Sequence, residues 1–384
     1  MTYAHIVGWG KFVPPKILTN NDLSKIVDTS DEWIVTRTGI RERRIAGPKD
    51  SSATMGLAAA KDAIEMAGVR PTEIDLIICA TATPEHYFPS TASLIQDALG
   101  ATKAGAFDLS AGCSGFMYGL SMAAQIIQGG GHQVILVIGT ETLSRIMNWQ
   151  DRTTCVLFGD GAGAMVLKAS DNKGGLLSSL TRSDGSGGDL LIIPAGGSHL
   201  PATAETVQLG QHFIQMNGRE VFRFAARVID RATREVVGKA GLTLDDIDLF
   251  IPHQANLRII QAAARSLAVK EDRIFVNLDR YGNTSSASIP IAICEAVEQG
   301  RLKPGDKIVM VGFGAGLTWA AAAVQWTGLE PIHQPNAVER SIDRIIYFGA
   351  AIRNRVVRVL RRIESALFGS PSPKTIDKGG KDKK

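Results

Sequence analysis

Four cysteines in 384 residues, at positions 79, 113, 155 and 294, show neither metal-ligand spacing nor a disulfide framework. Such usage points to a reducing compartment, and a cytoplasmic location is expected. Long apolar runs free of charge are also missing, so no stretch of about 20 residues reads as a membrane span. The first ten residues carry no basic segment followed by an apolar run, so no signal peptide is expected. A basic body is lacking as well. The net charge of +4 is unevenly placed: residues 328–384 carry 12 Lys/Arg against 6 Asp/Glu, whereas the remainder carries 30 against 32. The positive charge belongs to the tail, and nothing in the body argues for nucleic acid. A dinucleotide loop is absent too. The run Phe313-Gly314-Ala315-Gly316 lacks the strand–GxGxxG–helix spacing and the acidic residue that should follow it.

What is present suits a well-packed chain, 45% hydrophobic and 21% charged, of two sizeable domains or one large one. One cysteine has a distinctive position. In Phe107-Asp108-Leu109-Ser110-Ala111-Gly112-Cys113-Ser114-Gly115-Phe116, a strand-like run ends where a helical pattern over 115–128 begins. A helix N-terminus favours thiolate over thiol, as a nucleophile requires. Position alone leaves a second reading, a buried apolar cysteine.

The chain also repeats itself. Glu73-Ile74-Asp75-Leu76-Ile77-Ile78 is echoed 173 residues later by Asp246-Ile247-Asp248-Leu249-Phe250-Ile251. Each follows a helical pattern ending in Ala-Gly. Each is followed by another strand and a small-residue junction, Gly112-Cys113 in one half and Gly282-Asn283 in the other. A helix and a strand ending in glycine close each half, at 134–139 and 308–312. This alternation predicts βαβ units, largely parallel sheets and a duplicated α/β fold. Cys113 and Asn283 then occupy matching positions, and His253 takes the place of Ala80. Sites in α/β folds form at the ends of parallel strands, so Cys, His and Asn can meet in space. Taken singly, His253 also reads as a core histidine and Asn283 as a turn residue.

Longer motifs add a resemblance. They are Asp28-Thr29-Ser30-Asp31-Glu32-Trp33-Ile34-Val35-Thr36-Arg37-Thr38-Gly39-Ile40, Phe158-Gly159-Asp160-Gly161-Ala162-Gly163, Ile251-Pro252-His253-Gln254-Ala255-Asn256-Leu257-Arg258, Tyr281-Gly282-Asn283-Thr284-Ser285 and Gly312-Phe313-Gly314-Ala315-Gly316-Leu317-Thr318-Trp319. Across residues 3–327 the chain resembles the β-ketoacyl-acyl carrier protein synthase III family of condensing enzymes. The resemblance implies a thiolase-like five-layered αβαβα fold, with an N-terminal half over 1–172, a C-terminal half over 173–327 and an extension over 328–384. It implies a homodimer, and a catalytic set of Cys113, His253 and Asn283. The expected reaction is a decarboxylative Claisen condensation of a short acyl-CoA primer with malonyl-acyl carrier protein through an acyl-Cys113 intermediate, initiating fatty acid synthesis. Both thioesters are substrates; no cofactor or metal is expected.

The resemblance further implies an oxyanion pocket from the backbone N–H groups of Cys113 and Ala315. Many relatives carry glycine at the latter position, so its methyl tightens the pocket. Trp33 and Arg152 are expected to sandwich the adenine of CoA, Arg37 to contact its nucleotide end, and Asn256 and Gly218 to border the pantetheine tunnel. Arg223, Arg258 and Arg265 are candidates for a patch that attracts the acidic carrier protein. Phe88 and Phe313, with Thr142, Leu143 and Ile193, are candidates for the acyl pocket, Phe88 reaching across the dimer interface. Two rival readings remain at this stage. One is a thiolase-fold acyltransferase of a polyketide, quinolone or hydrocarbon pathway; the other is a non-catalytic scaffold of a lipid-synthesis complex.

The tail departs from the family pattern. Ile342, Ile345, Ile352, Val356, Val359, Ile363 and Leu367 fall on one face at 3.6 residues per turn, with Arg344, Arg355, Arg358 and Arg362 opposite. A basic amphipathic helix is expected over 341–368, then a disordered Ser/Pro/Lys-rich end. Its apolar face is open to three uses: packing on the body or dimer mate, lying on an anionic membrane, or contacting a partner.

Overall fold

The computed structural model describes residues 2–328 and eight positions of a helix between 349 and 363. The rest of the predicted tail lies outside the described residues.

The first half runs β1 (Tyr3–Phe12), α1 (Asp31–Thr38), α2 (Ser52–Ala67), β2 (Leu76–Ala80), α3 (Thr91–Leu99), β3 (Gly105–Leu109), α4 (Gly115–Gln128), β4 (Val134–Glu141) and β5 (Gly161–Ser170). The second runs β6 (Gly175–Ser183), α5 (Gly218–Lys239), β7 (Leu249–Pro252), α6 (Leu257–Leu267), α7 (Ser288–Glu298), β8 (Lys307–Gly314) and β9 (Thr318–Gln325). The first sheet has the order β1-β5-β4-β2-β3 and the second β6-β9-β8-β7, the same arrangement one strand shorter. The pairs β2/β3, β2/β4 and β7/β8 are parallel, whereas β1/β5, β4/β5, β8/β9 and β6/β9 are antiparallel, so the sheets are mixed and not largely parallel as the helix–strand alternation predicted. The expected second strand after β7 is reduced to one parallel bridge, Phe250 with Ile274. The chain departs into a 3₁₀ turn just before it, at Glu271–Arg273.

Layering follows from which faces are apolar. Every residue of β2 and β4 is buried, as sheets covered on both sides demand. Helices α4 and α7 lie between the two sheets. Phe116, Leu120 and Ile127 of α4 and Ile289 and Ile293 of α7 share one core with Ile78, Val137, Ile251 and Met310. Helices α2 and α3 cover the outer face of the first sheet, and α5 and α6 that of the second. The result is the five-layered duplicated fold expected from the sequence. Close packing is enforced by small residues. A Cβ on Gly139 in β4 would sit 2.4 Å from the Ser286 carbonyl oxygen, just ahead of α7. Among the described residues no helix is long and apolar enough to cross a membrane.

Candidate active site

Cys113 lies in a single 3₁₀ turn, Gly112–Ser114, that runs directly into α4. Gly112 turns the chain with φ +52°, a conformation open to glycine. A Cβ there would meet Ala315 N at 2.9 Å, and one on Gly314 would meet Cys113 N at 2.5 Å. The nucleophile turn and the glycine-rich end of β8 are therefore in backbone contact. Polar side chains fasten them: Thr318 Oγ1 lies 2.8 Å from the Ala111 carbonyl and 2.9 Å from that of Ala315, and Ser114 Oγ donates to Thr318 Oγ1 at 2.7 Å.

In the second half, Gly282 has φ +63° and delivers Asn283 to the matching place before α7. Asn283 Oδ1 accepts the Ser285 N–H at 2.8 Å, which turns Nδ2 away from its own loop. His253 follows β7, and its Nδ1 is 2.6 Å from Ser288 Oγ at the start of α7. Its ring meets Phe313 edge-on, with centroids 5.0 Å apart and planes at 74°. Cys113, His253 and Asn283 all line one cavity of about 330 Å³. The duplication thus brings three residues from distant positions to one wall.

Burial dominates the electrostatics. It pushes the Cys113 thiol up to about 11, against hydrogen bonds from Ser285 and Asn283 that pull it down. The helix terminus anticipated from the sequence is present, but desolvation outweighs it. Burial also lowers His253 to about 3, leaving a neutral imidazole. Glu141, missed in the sequence, is fully buried beside this group. Its carboxylate accepts from Ser285 Oγ at 3.0 Å, Ser286 Oγ at 2.8 Å and Thr83 Oγ1 at 2.8 Å. Burial holds its pKa up, and these donors oppose the shift.

Trp33, Arg37, Gly218 and Asn256 line the same cavity as the trio. Asn256 Nδ2 donates to the Arg37 carbonyl at 3.1 Å, so one side of the mouth is tied to the other. The guanidinium of Arg37 lies 4.6 Å from the Trp33 ring centroid and that of Arg152 lies 5.4 Å from it. A ring sandwiched between Trp33 and Arg152 needs two contacts of about 3.5 Å each, roughly 7 Å in all. Arg152 must therefore move to admit one. It is held by the Asp28 carbonyl at 3.0 Å and the Asp28 carboxylate at 3.3 Å. Arg223 is exposed on α5 beside the lining residue Phe222, and Arg258 is exposed on α6 beside Ile259. Arg265 is exposed two turns farther along α6. Arg223 carries its own partner, Glu220, at 2.7 Å. Arg219, exposed next to Gly218, was not singled out by the sequence.

A second cavity of about 380 Å³ opens on the other side of Cys113. Leu143, Ile193 and Ala315 line it, as do Ile146, Leu191, Ile192 and Ile214, which the sequence did not reveal. The other candidates for this pocket lie elsewhere. Phe313 belongs to the first cavity, because its side chain packs against His253. Thr142 and Phe88 line a neighbouring open trough of about 830 Å³. Phe88 is 87% exposed there and Tyr87 82%. Ala82, Ile146 and Ile193 border both trough and pocket. Among the described residues no cluster of His, Cys, Asp and Glu could hold a metal.

Comparison with known proteins agrees with this geometry. Two models of 3-oxoacyl-[acyl-carrier-protein] synthase III match, one over residues 107–185 and its C-terminal counterpart over 237–326. The chain is 58% identical to the β-ketoacyl-[acyl-carrier-protein] synthase III of Symbiobacterium thermophilum over 321 residues, 84% of this chain and 97% of that protein. This chain belongs to the β-ketoacyl-[acyl-carrier-protein] synthase III family. It is accordingly a condensing acyltransferase. The Caldanaerobacter subterraneus member is 54% identical over 84% of this chain and 98% of its own length. The solved synthase III of Aquifex aeolicus superposes with a TM-score of 0.78 at 48% identity, over 84% of this chain and 99% of that one. The shared part of these synthases is thus the five-layered body, and the C-terminal extension lies beyond it.

Proposed function

We propose that this synthase joins a short acyl-CoA primer to malonyl-acyl carrier protein, releasing CO₂ and CoA and forming 3-oxoacyl-acyl carrier protein, the first condensation of fatty acid synthesis. The observation that carries the reading is the position of Cys113 at the junction of two cavities. One leads to Trp33 and Arg37 at the mouth, and the other is lined by aliphatic side chains. A thioester threaded through the first places its carbonyl at Cys113 and its acyl chain in the second.

Cys113 sulfur attacks that carbonyl, and the negative oxygen is held by the backbone N–H groups of Cys113 and Ala315. The carbonyl re-forms, CoA leaves, and the thiol proton ends on its sulfur. Malonyl-acyl carrier protein then enters by the same mouth. Loss of CO₂ leaves an enolate whose oxygen accepts from His253 Nε2–H and Asn283 Nδ2–H. The Ser288 hydroxyl donates to His253 Nδ1 and so keeps the ring proton on Nε2. A neutral imidazole suits this role, because it donates without surrendering a full proton. The enolate carbon attacks the acyl-Cys113 carbonyl, and the thiolate of Cys113 is the leaving group.

Trp33, Arg37 and Arg152 bind the nucleotide end of CoA, while Gly218 and Asn256 border its pantetheine arm. Arg223, Arg258 and Arg265 attract the acidic carrier protein. The enzyme works as a cytoplasmic homodimer. Support for the dimer comes from Tyr87 and Phe88, whose exposure beside the acyl pocket is unusual for large apolar rings. Support for a reducing compartment comes from four free, buried cysteines. Incubation with acetyl-CoA and malonyl-acyl carrier protein tests the function. The expected product is 3-oxobutyryl-acyl carrier protein, formed by wild type and not by Cys113→Ala; formation at equal rates would overturn the reading.

A further inference from the structure

The extension carries an observation that the condensing reaction does not use. Eight positions between 349 and 363 are helical, and five of them are large aliphatic residues standing open. Ile352, Val356, Val359, Leu360 and Ile363 are 47 to 57% exposed. In the body, by contrast, every residue of the central strands β2 and β4 is buried. At about 100° per residue the five side chains fall within a stripe roughly 100° wide. On the same register the exposed Arg353 borders one edge. Residues 341–368 contain six arginines against two acids, Asp343 and Glu364.

We infer that this helix is a docking element for an anionic phospholipid surface. The charge decides the occupant. A second copy of the segment would bring six arginines onto six more, with too few acids to neutralise them. An anionic bilayer supplies the missing charge. Arginine stems reach outward to headgroups while the aliphatic stripe enters the headgroup–acyl boundary. Eight charged residues over 341–368 keep the segment at the interface and exclude a span. The device is separable from catalysis. The Symbiobacterium thermophilum relative is covered over 97% of its length by 84% of this chain, so the body stands without the extension in that synthase.

Flotation of the full chain with vesicles tests the inference. One set is phosphatidylcholine alone, and the other contains about a third phosphatidylglycerol, at low salt. The expected result is at least about tenfold more protein with the anionic vesicles. Ile352→Asp with Val356→Asp should abolish that gain, and Arg353→Glu with Arg355→Glu should reduce it. Acylation of Cys113 should be unchanged in both variants. A chain ending at Gly328 should stay at the bottom of the gradient while forming the acyl-enzyme normally. Equal flotation of that short chain would place the lipid contact on the body and overturn the inference. So would failure of the full chain to float with either vesicle, whether the helix then proved to pair with a second copy or with the acidic carrier protein.

Discussion

His253 and Asn283 share a wall with Cys113 but have a separate task. Both are buried, and both present a nitrogen donor whose partner atom is already engaged, His253 Nδ1 by Ser288 and Asn283 Oδ1 by the Ser285 N–H. Removing either donor should cost decarboxylation about 10²–10³-fold. His253→Ala and Asn283→Ala should therefore stall malonyl-acyl carrier protein decarboxylation while acyl transfer from CoA to Cys113 persists. Parallel loss of acylation would contradict that division of labour. The electrostatics give a second prediction. An ordinary histidine, near 6.5, would lose its neutral form across mild acid, but burial holds His253 down to about 3. Decarboxylation should accordingly be flat from pH 5.5 to 7.5. A limb with an apparent pKa near 6.5, abolished by His253→Asn, would show that the imidazole charges in the folded enzyme. The repeat put Cys113, His253 and Asn283 at places that can meet, but it was the family resemblance of the motifs around them that named them as one catalytic set. Glu141 was not, since a carboxylate at the end of an apolar strand reads as a solvated terminus. Only the fold shows that Thr83, Ser285 and Ser286 enclose it.

At the level of elements, the site depends on helices α4 and α7, which occupy the layer between the sheets and carry Cys113 and Asn283 just before their first turns. Phe116 is 1% exposed in that layer and touches the core shared by both halves. Phe116→Ala should cost about 3–5 kcal/mol, read as a lower denaturant midpoint. A cost below 1 kcal/mol would mean that the interlayer core collapses around the gap. Strand and helix positions were read well where apolar runs were long, as at β4 and α4. The shortened strand near Ile274 was misjudged because pairing is settled by the path of the chain and not by the run itself. Likewise, alternation along β8 turns Phe313 toward His253 and away from the acyl pocket, a facing that residue type cannot disclose. The pocket's aliphatic wall of Ile146, Ile192 and Ile214 comes from a 3₁₀ turn, a two-residue strand and a loop brought together only by folding.

For the whole molecule, the duplicated architecture was legible and the cavities were not. The open trough beside the acyl pocket, with Tyr87 and Phe88 at its rim, is the surface assigned to a second copy. Phe88→Asp should shift the protein from dimer to monomer in light scattering behind a sizing column. An unchanged mass, or a wild-type protein that is already monomeric, would remove the trough from the interface. The catalytic expectations rest on an acyl group carried by Cys113. Intact-protein mass after incubation with an equimolar panel of acyl-CoAs tests that claim most directly. The predicted result is a single acyl adduct on the wild type, with none on Cys113→Ala. An adduct that survives the substitution, or no adduct with any member of the panel, would contradict it.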